Sequence, residues 1–252
     1  MLKSVLLPAG QIPALRQIMW RWLHLARERH MLNEEEYRAI VRDLVAGPMA
    51  FLGRHIISLD SDPVEQYDKT PAPVRFSLQK SNKSTTNATA YTTTDVLRDA
   101  HQITTGLPMY FLPWARKRKL SMMLPPSGET VLFFTASLTG CAVGYWRAPD
   151  GGVKFYHVNI GGEGDISAVG AAAHEKLTKA LTKIHGKSGQ VKSPTRNSGG
   201  IFNVGDYAWG SSGVIRGCAC GVRRQQGWEF YGQTIVQAGL RGGYGIKDVR
   251  SF

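Results

Sequence analysis

The sequence predicts an α+β fold, with helices gathered at the amino terminus and a long β-rich region after them. Three observations predict it. Residues 12 to 46 carry apolar side chains at helical spacing. Residues Thr130 to Ile160 (TVLFFTASLTGCAVGYWRAPDGGVKFYHVNI) read as apolar runs around a turn cluster. Three more strand-like runs follow residue 200. The expected division is a helical segment over 1–60, a polar connector over 61–95 and a β-rich domain over 96–252.

In chain order, MLKSVLLPAGQIP has a short apolar run broken by Pro8, too brief for a membrane span and without a cleavage site. Ile12, Leu15, Ile18, Met19, Trp22, Leu23 and Leu25 then trace one face of an amphipathic helix. Asn33 and Glu36 form a capping-box pattern that opens a second helix, which Gly47-Pro48 ends, so the two make an N-terminal helical hairpin. Its basic face, around Arg16, Arg21, Arg27 and Arg29, is read as a solvated helix surface ahead of a nucleic-acid or membrane contact.

Residues Ser58 to Pro73 read as connector, Val74 to Leu78 as a short strand, and Gln79 to Thr94 as a polar loop or exposed hairpin. Thr94-Asp95 is the expected cap of a short helix reaching His101. Leu107 to Trp114 is apolar, and Arg116, Lys117, Arg118 and Lys119 follow as the densest charge in the chain. These four are the candidate partner-binding residues, with solvation of a loop as the rival reading. Leu120 to Leu124 is a strand, Pro125 to Gly128 a turn, and Thr130 to Ser137 a strand leading to a Leu138-Thr139-Gly140-Cys141 elbow. Beyond the next hairpin lie a Gly161 to Asp165 loop, a helix from Ser167 to His185, and strands over Ile201 to Trp209, Gly213 to Arg223 and Trp228 to Val236. The last ten residues read as a tail.

The net charge of +12 implies attraction to something acidic: a nucleic acid, an anionic membrane, an acidic protein or an acidic carrier. Three cysteines are too few for a disulfide framework. Cys218 and Cys220 have the wrong spacing for a zinc or redox pair and read as packing residues. No metal site and no cofactor are implied. GGEGD lacks the lysine of a phosphate-binding loop, and its two acids repel phosphate.

The hairpin holds the candidate chemistry. If Ala148 to Asp150 form its loop, Cys141 lies directly across from His157, with Cβ atoms about 4.5–5.5 Å apart on one face. A longer turn through Asp150-Gly151-Gly152 slips that register by a residue or two. Gly140 permits a backbone conformation closed to other residues, which exposes the sulfur and leaves main-chain N–H groups for an oxyanion. The competing reading is a buried structural cysteine.

Leu138-Thr139-Gly140-Cys141 resembles the LSGC signature of the bacterial toxin deamidases typified by cytotoxic necrotizing factor and Burkholderia lethal factor, with Thr139 in place of the usual serine. The resemblance is confined to Thr135 through His157. It implies a β-sandwich-like mixed-sheet core with flanking helices, a nucleophilic Cys141 paired with His157, and Thr135 as the group that orients the imidazole. It also implies hydrolysis of a glutamine, or asparagine, side-chain amide in a target protein.

In that chemistry the sulfur attacks the carboxamide carbon, His157 takes and returns the proton, and water resolves the thioester. Asn159, two residues past His157 on the same strand face, is the local competitor for the orienting role, and a main-chain carbonyl is a third option. The expected setting is a secreted effector without a signal peptide that acts in the target-cell cytoplasm. Its expected partners are a host or competitor target, an acidic partner, a chaperone or an immunity protein. A cysteine protease or transglutaminase using the same two residues, and a non-enzymatic basic binding module, are the alternative functions.

Overall fold

Asn33 starts the first described helix by exchanging bonds with Glu36. Its side chain accepts from the Glu36 N–H and its own N–H donates to the Glu36 carboxylate, each at 2.9 Å. Two otherwise orphaned donors are thereby satisfied. The helix, α1 (Glu34–Ala46), buries Tyr37, Ile40 and Leu44 along one stripe. Gly47 ends it, as expected, but Pro48 then opens a second short helix, α2 (Pro48–Leu52), because proline's missing N–H is harmless at a first helical position.

The structure, a computed structural model, describes residues 32–59, 73–81, 84–85, 88–97, 106–115, 118–159, 175, 179, 199–202, 214–237 and 243–252. The helix expected over residues 12 to 31, and with it the helical hairpin, lies outside them. Of the helix expected from Ser167 to His185, only Glu175 and Lys179 are described; both are helical and pair at 2.5 Å. Among the described residues, no helix is long and apolar enough to cross a membrane.

Among the described residues twelve strands follow: β1 (His55–Ser58), β2 (Val74–Lys80), β3 (Thr89–Leu97), β4 (Leu107–Leu112), β5 (Lys119–Leu124), β6 (Leu132–Thr135), β7 (Ala142–Arg147), β8 (Val153–Val158), β9 (Gly199–Phe202), β10 (Val214–Arg224), β11 (Gly227–Gln237) and β12 (Tyr244–Ser251). They form an eight-stranded sheet, β1-β3-β2-β4-β6-β10-β11-β12, and a four-stranded sheet, β5-β8-β7-β9. The large sheet is mixed: β1 runs parallel to β3 and β4 parallel to β6, while the other pairs are antiparallel. The chain is therefore α+β with a mixed-sheet core.

The strand expected over Val74 to Leu78 forms as β2, and of the loop or hairpin expected over Gln79 to Thr94 it is the hairpin that forms, β3 returning antiparallel to β2 within the large sheet. Two stretches differ from expectation. Thr94 and Asp95 do not begin a helix. They lie inside β3, where a run of β-branched threonines and Val96 suits a pleated backbone better than a helical one. The carboxy-terminal residues form β12, which zips onto β11 from Tyr244 to Ser251 and buries Tyr244. Glycine and charge conceal this edge strand, whose burial does not alternate cleanly because its pairing with β11 shifts register between Thr234 and Ile235. β9 covers only the start of the strand expected from Ile201, and residues 203–213 lie outside the description.

Period-two alternation sorts the large sheet's side chains into two cores. Leu107, Met109 and Phe111 of β4, Leu132 and Phe134 of β6, and Cys218, Cys220 and Val222 of β10 pack with Tyr37, Ile40, Leu44, Phe51 and Leu52 of the helices. Their neighbours Tyr110, Leu112, Phe133, Ala219, Trp228 and Phe230 face the four-stranded sheet and meet Val143, Tyr145, Val153 and Phe155. The two sheets thus sandwich an aromatic layer, with helices on the outer face of the larger one. Gln233 ties helix to sheet, donating its amide to the carbonyls of Leu52 at 2.6 Å and His55 at 2.8 Å.

Glycines on the inner face of β10 and β11 admit these rings. A Cβ on Gly221 would sit 2.8 Å from Phe230, and one on Gly232 would collide with the ring of Phe202. We expect Gly232→Val to lower stability by about 3 kcal/mol or more, as overpacking does when a rigid ring cannot retreat. The midpoint of urea unfolding measures it, and an unchanged midpoint would show that Phe202 is free to move.

Candidate active site

Gly140 takes the left-handed turn expected of it, but the turn does not expose the sulfur: Cys141 is buried, because the apolar rows of the two sheets close over the start of β7. Leu138 bridges to Gly217, exchanging main-chain hydrogen bonds at 2.7 and 2.9 Å, and so anchors the loop to the large sheet. Gly140 then turns with φ at +84°, a left-handed conformation that side chains disfavour, and the chain enters β7 one residue after Cys141.

The hairpin register differs from the shorter-loop expectation. Arg147 pairs with Val153, Val143 with His157 and Ala142 with Val158. The turn therefore spans Ala148 to Gly152, closed by the Ala148 N–H donating to the Gly152 carbonyl at 2.7 Å. Asp150 accepts from the Gly152 N–H at 2.9 Å, and Gly151 sits at φ +85°. Two extra turn residues slide Cys141 past His157, so that Asn159 comes opposite the cysteine instead. A slip of two preserves the face. Cys141, Val143 and Tyr145 share the inter-sheet side with Val153 and Phe155, and His157 continues that row. Cysteine and histidine are diagonal neighbours, a geometry with Cβ separations of about 7 Å that long side chains still span.

Asn159 is the residue on the sulfur: its Nδ2 donates to Cys141 Sγ at 3.3 Å. Sequence reasoning had offered Asn159 to the imidazole; the longer turn hands it to the thiol. Cys141 is 2% exposed, and burial pushes its thiol up to about 11, against smaller opposing contributions from the main chain of Thr139 and from Asn159. At neutral pH it is a thiol.

His157 is 1% exposed, and burial drives its imidazole down to about 4. The carbonyls of Leu112 and Pro113 face the ring and work the other way. Neither ring nitrogen completes a hydrogen bond of full geometry. These two carbonyls are the site groups that sequence reasoning could name only as an unspecified main-chain option, since they carry no residue-type signal.

Thr135 is fully buried and lies two residues past the inward-facing Phe133, so it points into the same inter-sheet space. Its hydroxyl accepts from the Ala219 N–H at 3.2 Å, and it pairs in register with Leu112. It thus fastens the strand end whose carbonyls face His157. Trp146 and Tyr156 lie on the other side of the small sheet, with Ala142 and Val158.

Of the basic run, Arg118 and Lys119 are exposed at edge strand β5. The Arg118 carbonyl accepts from the Asn159 N–H at 3.0 Å, and the Lys119 ammonium lies 5.5 Å from the Tyr156 ring centre. Arg116, Lys117, His174, His185 and the basic face around Arg16 to Arg29 lie outside the described residues. Cys218 and Cys220 are buried on the helix-facing side of the large sheet, as packing residues. Among the described residues, no three metal-ligating side chains gather.

No family model and no curated protein matches the chain. Among solved structures, the C-terminal domain of CNFy from Yersinia pseudotuberculosis is similar with a TM-score of 0.44 at 10% identity, over 86% of this chain and 99% of that one.

The depressed imidazole has a thermodynamic signature. An unfolded histidine titrates near 6.5, whereas folded His157 resists protonation until about 4. Its contribution is therefore whole above pH 6.5 and lost as pH falls toward 4, a difference of about 3 kcal/mol. Urea unfolding at pH 7, 5.5 and 4 should show the wild type losing that much more stability than His157→Gln. Parallel losses in the two proteins would contradict the burial of a neutral ring.

Proposed function

We propose that the chain is a cysteine-dependent deamidase of the toxin or effector type, hydrolysing the side-chain amide of a glutamine, or asparagine, in a target protein. The observation that carries this reading is the convergence on one inter-sheet face of Cys141, delivered by the Gly140 elbow, the Asn159 amide on its sulfur, and the His157 ring. The group seated on the sulfur is itself a carboxamide, the function a substrate glutamine would present. The Leu138 to Cys141 motif supports the same assignment.

In this reading both groups rest neutral, so no ion pair waits in the site. Sulfur attacks the carboxamide carbon while its proton passes to a His157 nitrogen. The C–N bond then breaks as that proton goes to the departing ammonia. Water, deprotonated by the same ring, cleaves the thioester, releasing glutamate and restoring the thiol. The Leu112 and Pro113 carbonyls orient the imidazolium that forms, and Thr135 positions the strand that carries them. The main chain at Gly140 and Cys141 is assigned to the oxyanion. Arg118 and Lys119, with Arg116 and Lys117 beside them in sequence, steer an acidic target surface. The setting that fits is export followed by action in a target cell, with a chaperone or immunity protein guarding the producer.

The test is intact-mass and peptide mapping of candidate target proteins incubated with the wild type, Cys141→Ser and His157→Gln. A gain of about one dalton at a single glutamine, from replacement of NH2 by OH, is expected with the wild type alone. Cleaved target chains would replace this reading by proteolysis, crosslinks by transglutamination, and effects that survive in Cys141→Ser by a non-enzymatic role.

Asn159→Ala removes the sulfur's hydrogen bond and should raise the thiol further. Alkylation of Cys141 by iodoacetamide at pH 8 is then expected to slow several-fold, because the thiolate is the reactive form. Faster alkylation in the variant would mean that Asn159 merely shields the sulfur.

A further inference from the structure

Arg223 is the one cationic side chain buried among the described residues, at 7% exposure. It occupies an inward-facing position of β10, two residues past Gly221, at the end of the sandwich where the hairpin turns. Its guanidinium lies 5.7 Å from the ring centre of fully buried Trp228, and its Nη2 donates to the Gly128 carbonyl. Its Nη1 is buried with no hydrogen-bond partner.

Among the described residues, no carboxylate pairs with this charge. In the neighbouring segments Glu229 is taken by Arg224 at 3.4 Å and by the Tyr231 hydroxyl at 2.6 Å, Asp150 accepts from the Gly152 N–H, and Glu129 is exposed. A second cation adds to the local potential: Arg147 donates its Nη2 to the Trp228 carbonyl at 2.6 Å. An uncompensated buried guanidinium is costly, and proteins keep one where an anion completes it.

There is room for that anion. Gly128, exposed in the Pro125 to Glu129 turn, has φ at +130°. A Cβ built on it would find only Arg223 Nη1 at 3.7 Å and Nη2 at 3.9 Å within reach among the described residues. The space beside the glycine opens onto the unpartnered nitrogen. We propose that Arg223, under the Gly128 turn, is an oxyanion-binding site that takes a carboxylate or a phosphoryl group. It stands at the opposite end of the hairpin from Cys141, so it is independent of the amide chemistry proposed there.

Thermal unfolding of the full chain tests it, with inorganic phosphate and sodium acetate titrated separately at constant ionic strength. The wild-type Tm should rise once the anion exceeds its Kd, with the logarithm of concentration, by about 4 °C at ten times the Kd. Arg223→Met should lack this logarithmic rise and, without anion, melt at or above the wild type, since an apolar chain of similar length removes the unpaired charge. Arg223→Lys keeps the charge but loses the planar fork and should bind at least about tenfold more weakly. A rise specific to the wild type with phosphate alone assigns the phosphoryl class, and with acetate alone the carboxylate class. A wild-type-specific rise with neither overturns the proposal. So does a rise common to the wild type and Arg223→Met, as general exclusion of these salts would give. Should Arg223→Met fail to fold, an unchanged Kd in Arg223→Lys overturns it equally.

Discussion

The molecule depends on an aromatic layer clamped between two sheets. Phe133 of the large sheet meets Phe155 of the small one at 4.5 Å, Phe230 meets Tyr145 at 4.4 Å, and Phe155 meets Phe230 at 5.0 Å. Each fully buried ring contributes about 1.5–3 kcal/mol by leaving water, with more from tilted ring contacts. Because strands present alternate residues to alternate sides, anchoring these rings also dictates where everything else on the strands must point. Cys141, His157 and Thr135 face inward because Val143, Phe155 and Phe133 do.

That arrangement sets the electrostatics of the candidate site. The apolar surroundings that hold the sheets together remove water from the sulfur and the imidazole, and so favour the uncharged form of each. In the proposed reaction, a substrate amide entering such a place would meet few competing waters and a low dielectric, where a developing negative charge is felt strongly by nearby main-chain dipoles. On that proposal, a closed, quiet resting state and stabilisation of an oxyanion would be two results of one environment.

Much of this was legible from residue types. Asn33 with Glu36 announced a helix start, Gly140 a left-handed elbow, and Ala142 to Val158 a hairpin, because capping, positive φ and alternation each leave a local mark. The hairpin's register was less so. Whether Ala148 to Asp150 or Ala148 to Gly152 closes the turn depends on how Asp150 and Gly151 share a few hydrogen bonds, and two residues decide who faces Cys141. Strand β12 reads as a tail and β3 only as one side of a loop or exposed hairpin, because threonine, glycine and charge conceal edge or near-edge strands whose stability comes from a partner's ladder. The carbonyls of Leu112 and Pro113 had no side-chain signature at all, since only folding carries β4 to the end of β8.

The three cysteines occupy opposite sides of one wall. Cys141 looks into the space between the sheets, while Cys218 and Cys220 project from β10 toward the helices, with the backbone of the large sheet between them. A disulfide demands close, convergent Cβ atoms, so oxidation cannot staple the elbow cysteine to either of the others within the fold. Under oxidative stress, a damaged Cys141 has no resolving thiol in its own chain and needs an external reductant for rescue.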